Sequence, residues 1–125
     1  MKRSIVCLAL SVAVTPAFAA GCAKPRNAFD QVYCASTLYS QADKDLNQSY
    51  SGLRTKLDAG QKDSLKQGQL AWITKRDAQC SREEPTGYFV NLDCAIEFTQ
   101  KRLAFLKERE RECNSTGCVS AELSK

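Results

Sequence analysis

Gln69-Leu70-Ala71-Trp72-Ile73-Thr74-Lys75-Arg76-Asp77-Ala78-Gln79-Cys80 holds the only tryptophan of the chain, a helix-compatible apolar spacing, an adjacent Arg-Asp pair and a terminal cysteine. The spacing predicts a helix from about Gln61 to Gln79, with Leu65, Gly68, Trp72, Ile73 and Arg76 on one side. Trp72 falls near mid-helix and is expected to fill the volume between helices. Upstream, Leu38, Ala42, Leu46, Tyr50, Leu53 and Leu57 recur at steps of three and four, predicting a first helix over about 34–57. Asp58-Ala59-Gly60 is expected to end it, with Gly60 as a left-handed cap. Gly52 is expected to admit a close neighbour. Downstream, Ala95, Phe98, Thr99, Arg102, Phe105 and Leu106 form the inward stripe of a third helix over about 93–113. Short connections make successive helices antiparallel. The expected fold is all-α: a small three-helix antiparallel bundle stapled by disulfides.

The 125 residues suit one domain. Lys2 and Arg3, the apolar run Ile5 to Val14 and Ala17-Phe18-Ala19 read as a secretory signal over residues 1–19, too short to span a bilayer. That leaves one helical domain over residues 20–125, with a flexible tail from about 119, and places the protein in the periplasm or outside the cell. A competing reading acylates Cys22 as a lipoprotein, but the leucine usual three places earlier is Ala19 here. Loss of the signal removes Cys7 from the seven cysteines and Lys2 and Arg3 from the eighteen basic residues, leaving sixteen basic against fourteen acidic. So balanced a chain, exported, gives no warrant for a nucleic-acid partner. No transmembrane segment is expected.

Six cysteines in an exported chain imply a disulfide framework. In an antiparallel hairpin, Cys22, Cys34, Cys80 and Cys94 gather at one end of the bundle. Cys113 lies a helix length away and can reach only Cys118. Among the other four, Cys22–Cys34 and Cys80–Cys94 are preferred because each closes a local loop; a crosslink between helix ends, such as Cys34–Cys80, stays open. Without histidine or a Cys-x-x-Cys pair, no metal site and no cofactor are expected.

Between Cys80 and Cys94, Pro85 and Gly87 break the helix, and the segment reads as the longest irregular stretch after the N-terminal arm. Glu83 and Glu84 give it charge, and Tyr88 and Phe89 give it aromatic anchors of the kind that dominate interfaces. These four are the candidate partner-binding residues. The run Lys107 to Glu112 reads as a solvated last turn. Enzyme activity is not expected: the usual acid–base residue, histidine, is absent, and pairs such as Asp43 and Asp45 are sequence neighbours and not a shared cleft. No catalytic residue is assigned.

Three segments in order resemble the LprI-type lysozyme-inhibitor family: Asp43-Lys-Asp-Leu46-Asn47-Gln-Ser-Tyr50; the stretch from Gln69 through Trp72, Arg76 and Asp77 to Cys80; and Cys94-Ala-Ile-Glu-Phe-Thr99-Gln-Lys-Arg102-Leu-Ala-Phe-Leu106. The resemblance covers about residues 22–106. This chain departs from the pattern at Gly68, where alanine is commoner, and in the extra Cys113–Cys118 loop. The shared polar residues Asp43, Asn47, Arg76, Asp77 and Arg102, together with Trp72, read as a structural network tying the three helices. The resemblance implies an exported binding protein that occludes a peptidoglycan-cleaving enzyme, with lysozyme or another muramidase as the protein partner. The alternative is an envelope interaction or immunity protein for another exported partner, without lysozyme inhibition.

Overall fold

The steps of three and four wind into three long helices in the computed structural model, which describes residues 22–125. The signal-peptide reading and Cys7 lie outside the described residues. Helix α1 spans Ala28–Arg54, α2 Ala59–Cys80 and α3 Leu92–Ser115. An antiparallel hairpin, β1 (Ser81–Glu84) and β2 (Gly87–Val90), sits between α2 and α3, and a one-turn helix α4 (Ser120–Leu123) follows α3. No described helix is long and apolar enough to cross a membrane.

Local chemistry sets the helix ends. The Asn27 side chain caps α1 by accepting from the Asp30 N–H at 2.9 Å, so the helix starts several residues before the expected Cys34. It ends at Arg54, where the Thr55 hydroxyl donates to the Gly52 carbonyl at 2.7 Å. Asp58 begins α2 and does not terminate α1: its carboxylate accepts from the Gln61 N–H at 2.8 Å, and its own N–H donates to Gln61 Oε1 at 3.1 Å. This reciprocal capping box places Gly60 inside α2, correcting its reading as a left-handed cap. Nothing lies within 4 Å of a Cβ built on Gly52, so no helix approaches closely there.

α2 runs back along α1, and α3 returns in the direction of α1. Lys56 and Glu110 face each other across the α1 and α3 C-terminal ends at 3.9 Å, while Val32 and Ala35 lie near Leu92 and Asp93 at the opposite end. The apolar core gathers at the first of these ends, where Leu46, Leu53, Leu57, Leu65, Leu106 and Leu123 form one cluster. Towards the other end small side chains take over, with Cys34, Ala42, Cys80, Ala95 and Thr99 buried. Leu38, expected inside, is 56% exposed.

All six described cysteines are paired. Cys22–Cys34, Cys80–Cys94 and Cys113–Cys118 have Cα separations of 5.4, 5.5 and 4.2 Å. The expectation of a flexible tail from about 119 does not match the chain's course. After the Cys113–Cys118 turn the chain folds back, and Leu123 enters the core at 1% exposure. Gln61 Nε2 donates to the Cys118 carbonyl at 3.0 Å, and Arg102 Nη1 to the Lys125 carbonyl at 2.7 Å. Arg109, in the charge run read as solvated, bridges Glu112 and Glu122 at 2.7 and 2.9 Å and joins α3 to α4.

Candidate functional site

The segment between Cys80 and Cys94 is a β-hairpin where irregular chain was expected. Pro85 and Thr86 make the two-residue connection between Glu84 and Gly87, which face each other in the register. Pro85 has a fixed φ suited to a turn, and Gly87, at φ +136°, takes a conformation that L side chains rarely adopt. Tyr88-Phe89-Val90 supplies the aromatic and β-branched residues that strands favour. Isolated two-stranded hairpins are marginal in water. This one is held at its base by the Cys80–Cys94 disulfide, by Asn91 N–H donating to the Cys80 carbonyl at 2.8 Å, and by the Ser81 hydroxyl donating to the Asp77 carbonyl at 2.6 Å.

The hairpin divides the four candidate contact residues between its two faces. Cross-strand partners share a face. Glu83 pairs with Tyr88, and Ser81 with Val90; Arg82 pairs with Phe89 on the opposite face, which also carries Glu84. The Arg82 guanidinium lies over the Phe89 ring at 5.1 Å and forms an ion pair with Glu84. One acid, Glu84, is therefore engaged within the hairpin, whereas Glu83 has no ion-pair partner among the described residues. Tyr88 is 81% exposed and Phe89 40%. Tyr88 and Val90 overhang a hollow of about 380 Å³ whose floor includes Tyr39, Arg76, Asp77 and Ala95.

The residues read as one polar network separate into three local sets. Asn47 Nδ2 donates to the Asp43 carbonyl and carboxylate at 2.9 and 3.1 Å, one turn apart on α1 and exposed. Arg76 donates to the Asp77 carboxylate at 2.8 and 2.7 Å and to the Tyr39 hydroxyl at 3.2 Å, joining α2 to α1. Arg102, 5% exposed, donates through Nε to Gln69 Oε1 at 2.9 Å and through Nη1 to Lys125, joining α3 to α2 and the tail. Burial lowers the Arg102 pKa to about 10. Tyr39 and the Lys125 carbonyl are partners that sequence reasoning missed, Tyr39 standing one helical turn before Asp43, and Gln69, the first residue of the second shared motif, was not assigned to the network.

Trp72 is half-buried and not central. It packs against the edge of the core, carries the Arg76 guanidinium 5.1 Å above its ring, and walls a groove between α2 and α3. The interior position that its size suggests is taken by Leu65, Leu106 and Leu123.

The family model for lysozyme inhibitor LprI matches residues 22–106. The chain belongs to the LprI lysozyme-inhibitor family. Within the matched span lie α1, α2, the hairpin and the buried part of α3; the Cys113–Cys118 turn and α4 fall beyond it. An uncharacterized protein of Rhizobium meliloti (strain 1021) is 31% identical over 106 residues, which cover 70% of this chain and 76% of that relative. No solved structure matches the chain. For this LprI-family chain, three disulfides fit an oxidising location outside the cytoplasm.

Proposed function

We propose that this protein is an exported inhibitor that blocks a peptidoglycan-cleaving glycosidase, lysozyme or another muramidase, by lodging the 81–90 hairpin in the enzyme's cleft. The observation that carries the reading is the hairpin itself, a disulfide-based projection with Tyr88 81% exposed, on a chain of the lysozyme-inhibitor family. Such enzymes bind a sugar chain between two carboxyl groups. An occluding segment needs a narrow, stiff shape, an aromatic surface to lie where sugar rings lie, and a polar group for the cleft's donors. Tyr88 and Glu83 on one face supply these, while the Arg82–Phe89 stack braces the other. Fixing the hairpin's base before binding lowers the ordering entropy lost in the complex.

The near balance of charge in the chain favours recognition by shape and hydrogen bonds over long-range steering. The experiment is lysis of bacterial cell walls by lysozyme, with the purified disulfide-bonded protein added in increasing ratio. Inhibition is expected to appear near equimolar protein. Tyr88→Ala, and separately replacement of residues 82–89 by Gly and Ser, are expected to weaken it at least about tenfold, as loss of an interface anchor does, with unchanged helical content. Full lytic rate at a large molar excess would overturn the reading. Intact inhibition by the replaced hairpin would move the site elsewhere.

A further inference from the structure

The hollow under the hairpin carries polar groups that hairpin recognition does not use. It encloses about 380 Å³ where α1, α2, the hairpin and the start of α3 meet, at the small end of ligand-site volumes. Val90, Leu92 and Ala95 give it apolar surface, and Tyr39 and Tyr88 add aromatic rings. The charged residues lining it are Arg76 and Asp77, which pair with each other at 2.7 Å, so the lining carries no net charge.

These polar groups are within a ligand's reach and keep hydrogen-bonding capacity. The Asp77 side chain is 54% exposed and the Arg76 side chain 17%. Both Arg76 bonds to Asp77 end on Oδ1, and Oδ2 has no donor among the described residues. The Tyr39 hydroxyl accepts from Arg76 Nη1 at 3.2 Å, which fixes its oxygen and leaves its proton to donate. The Ser81 hydroxyl gives its proton to the Asp77 carbonyl and keeps its lone pairs. Acceptors and a donor therefore share one hollow with aromatic and apolar surface. An anion would meet Asp77 and a cation Arg76. A purely apolar group would strip water from Asp77 and the hydroxyls and offer no partner in return. The object that answers all of these is neutral, has groups that both donate and accept, and has an apolar face: a sugar ring.

We propose that this hollow binds one N-acetylhexosamine ring of a glycan, with its C–H face against Tyr88, its hydroxyls toward Asp77, Tyr39 and Ser81, and its acetyl methyl toward Leu92 and Ala95. The sugar class stands on the hollow alone. The choice of an N-acetylated sugar rests on the reading of the target as a peptidoglycan-cleaving glycosidase. A sugar held at the root of the hairpin keeps the protein on the polymer that its target attacks, so the blocking segment is presented where the enzyme works.

The disulfide-bonded protein is titrated with N-acetylglucosamine, with its trimer, and with cellotriose, the glucose trimer of the same linkage, while backbone amide resonances are followed. No enzyme is present. Saturable shifts at Ser81, Tyr88, Val90 and Ala95 are expected, with a dissociation constant on the order of 1 mM for the single sugar. Cellotriose is expected to bind about tenfold more weakly than the acetylated trimer, for want of the acetyl groups. Affinity should hold as salt is added, because the ligand is neutral. Tyr88→Ala, at a position 81% exposed, is expected to weaken binding about tenfold while the melting temperature stays put. Tyr39→Phe is expected to weaken it about three- to tenfold, as loss of one hydrogen bond implies. No saturable response, shifts scattered away from the hollow, equal binding of cellotriose, or unchanged affinity in Tyr88→Ala would overturn the proposal. Sugar binding without inhibition of lysozyme would support it and remove only the inhibitor reading; inhibition without sugar binding would do the reverse.

Discussion

Gly68 shows how one missing methyl can organise distant chain. A Cβ built there would lie 2.8 Å from the Leu123 carbonyl oxygen and 2.9 Å from the Ser124 carbonyl carbon. Both are backbone atoms, which cannot rotate away as a side-chain tip would. Gly68 and the Cys113–Cys118 loop are thus parts of one arrangement: the loop turns the tail back and the glycine gives it room. In an ordinary helix interior, glycine to alanine gains about 1 kcal/mol. Here Gly68→Ala is expected to lower stability by about 1–3 kcal/mol, the usual range for overpacking. In a chain ending at residue 118 the same substitution is expected to raise stability, since the obstructing backbone is gone. Urea unfolding of the four proteins gives the sign of the coupling directly. Destabilisation in both backgrounds would place the cost somewhere other than the tail.

At the scale of elements, the three long helices are legible in the sequence because inward-facing residues at steps of three and four leave no competing period. The shorter elements are not. Ser120 to Leu123 contains a single large apolar residue in one turn, so no periodicity marks it, and its burial depends on Gly68, more than fifty residues earlier. The hairpin has its signal in Pro85-Thr86-Gly87 followed by Tyr88-Phe89-Val90, but Ser81 to Glu84 has no apolar alternation to name the first strand. Trp72 misleads by size: the interior accepts leucines and the Arg102 guanidinium, and the indole is left at the groove. Asp43 and Asn47 mislead by type, because a motif of polar residues suggests a network where one helical turn suffices. The docking of α4 brings its own pH dependence. Glu122 accepts from Lys125, which holds its pKa below the ordinary glutamate value of 4.5, and Arg109 adds to the same effect. A carboxyl with a lowered folded-state pKa contributes stability that is present above about pH 4.5 and lost as pH falls through the folded value. The melting temperature is therefore expected to fall on acidification from about pH 5 to 3, and less steeply in Glu122→Gln. Asp30 and Glu97, also lowered by their Arg26 and Lys101 partners, keep the slope from vanishing. A Glu122→Gln profile parallel to the parent would show that α4 docking does not depend on this charge.

Over the whole molecule, two of the three disulfides lie at the end opposite the apolar core, and the third, Cys113–Cys118, packs against that core. The leucine cluster occupies the end where α1 meets α2 and α3 meets α4, whereas Cys22–Cys34 and Cys80–Cys94 occupy the end that buries only small side chains. Each disulfide is local, with sequence separations of 12, 14 and 5 residues, and none ties one long helix to a distant part of another. A closed loop of about 15 residues adds about 3 kcal/mol through the unfolded state. That contribution matters most where burial is least, and the proposed contact segment hangs from that end. Removing the Cys80–Cys94 bond should consequently loosen one end and not melt the whole. In a Cys80→Ser, Cys94→Ser protein, backbone amide exchange is expected to quicken over residues 76–98 and in the first turns of α1. Exchange around Leu53, Leu65 and Leu106 should stay near its parent rate, as expected when opening is sub-global. Inhibition of lysozyme should weaken more than global stability does, since the hairpin must then be ordered on binding. Uniform acceleration of exchange across all three helices would instead make the bundle a single cooperative unit, with the disulfide holding the leucine end as firmly as its own.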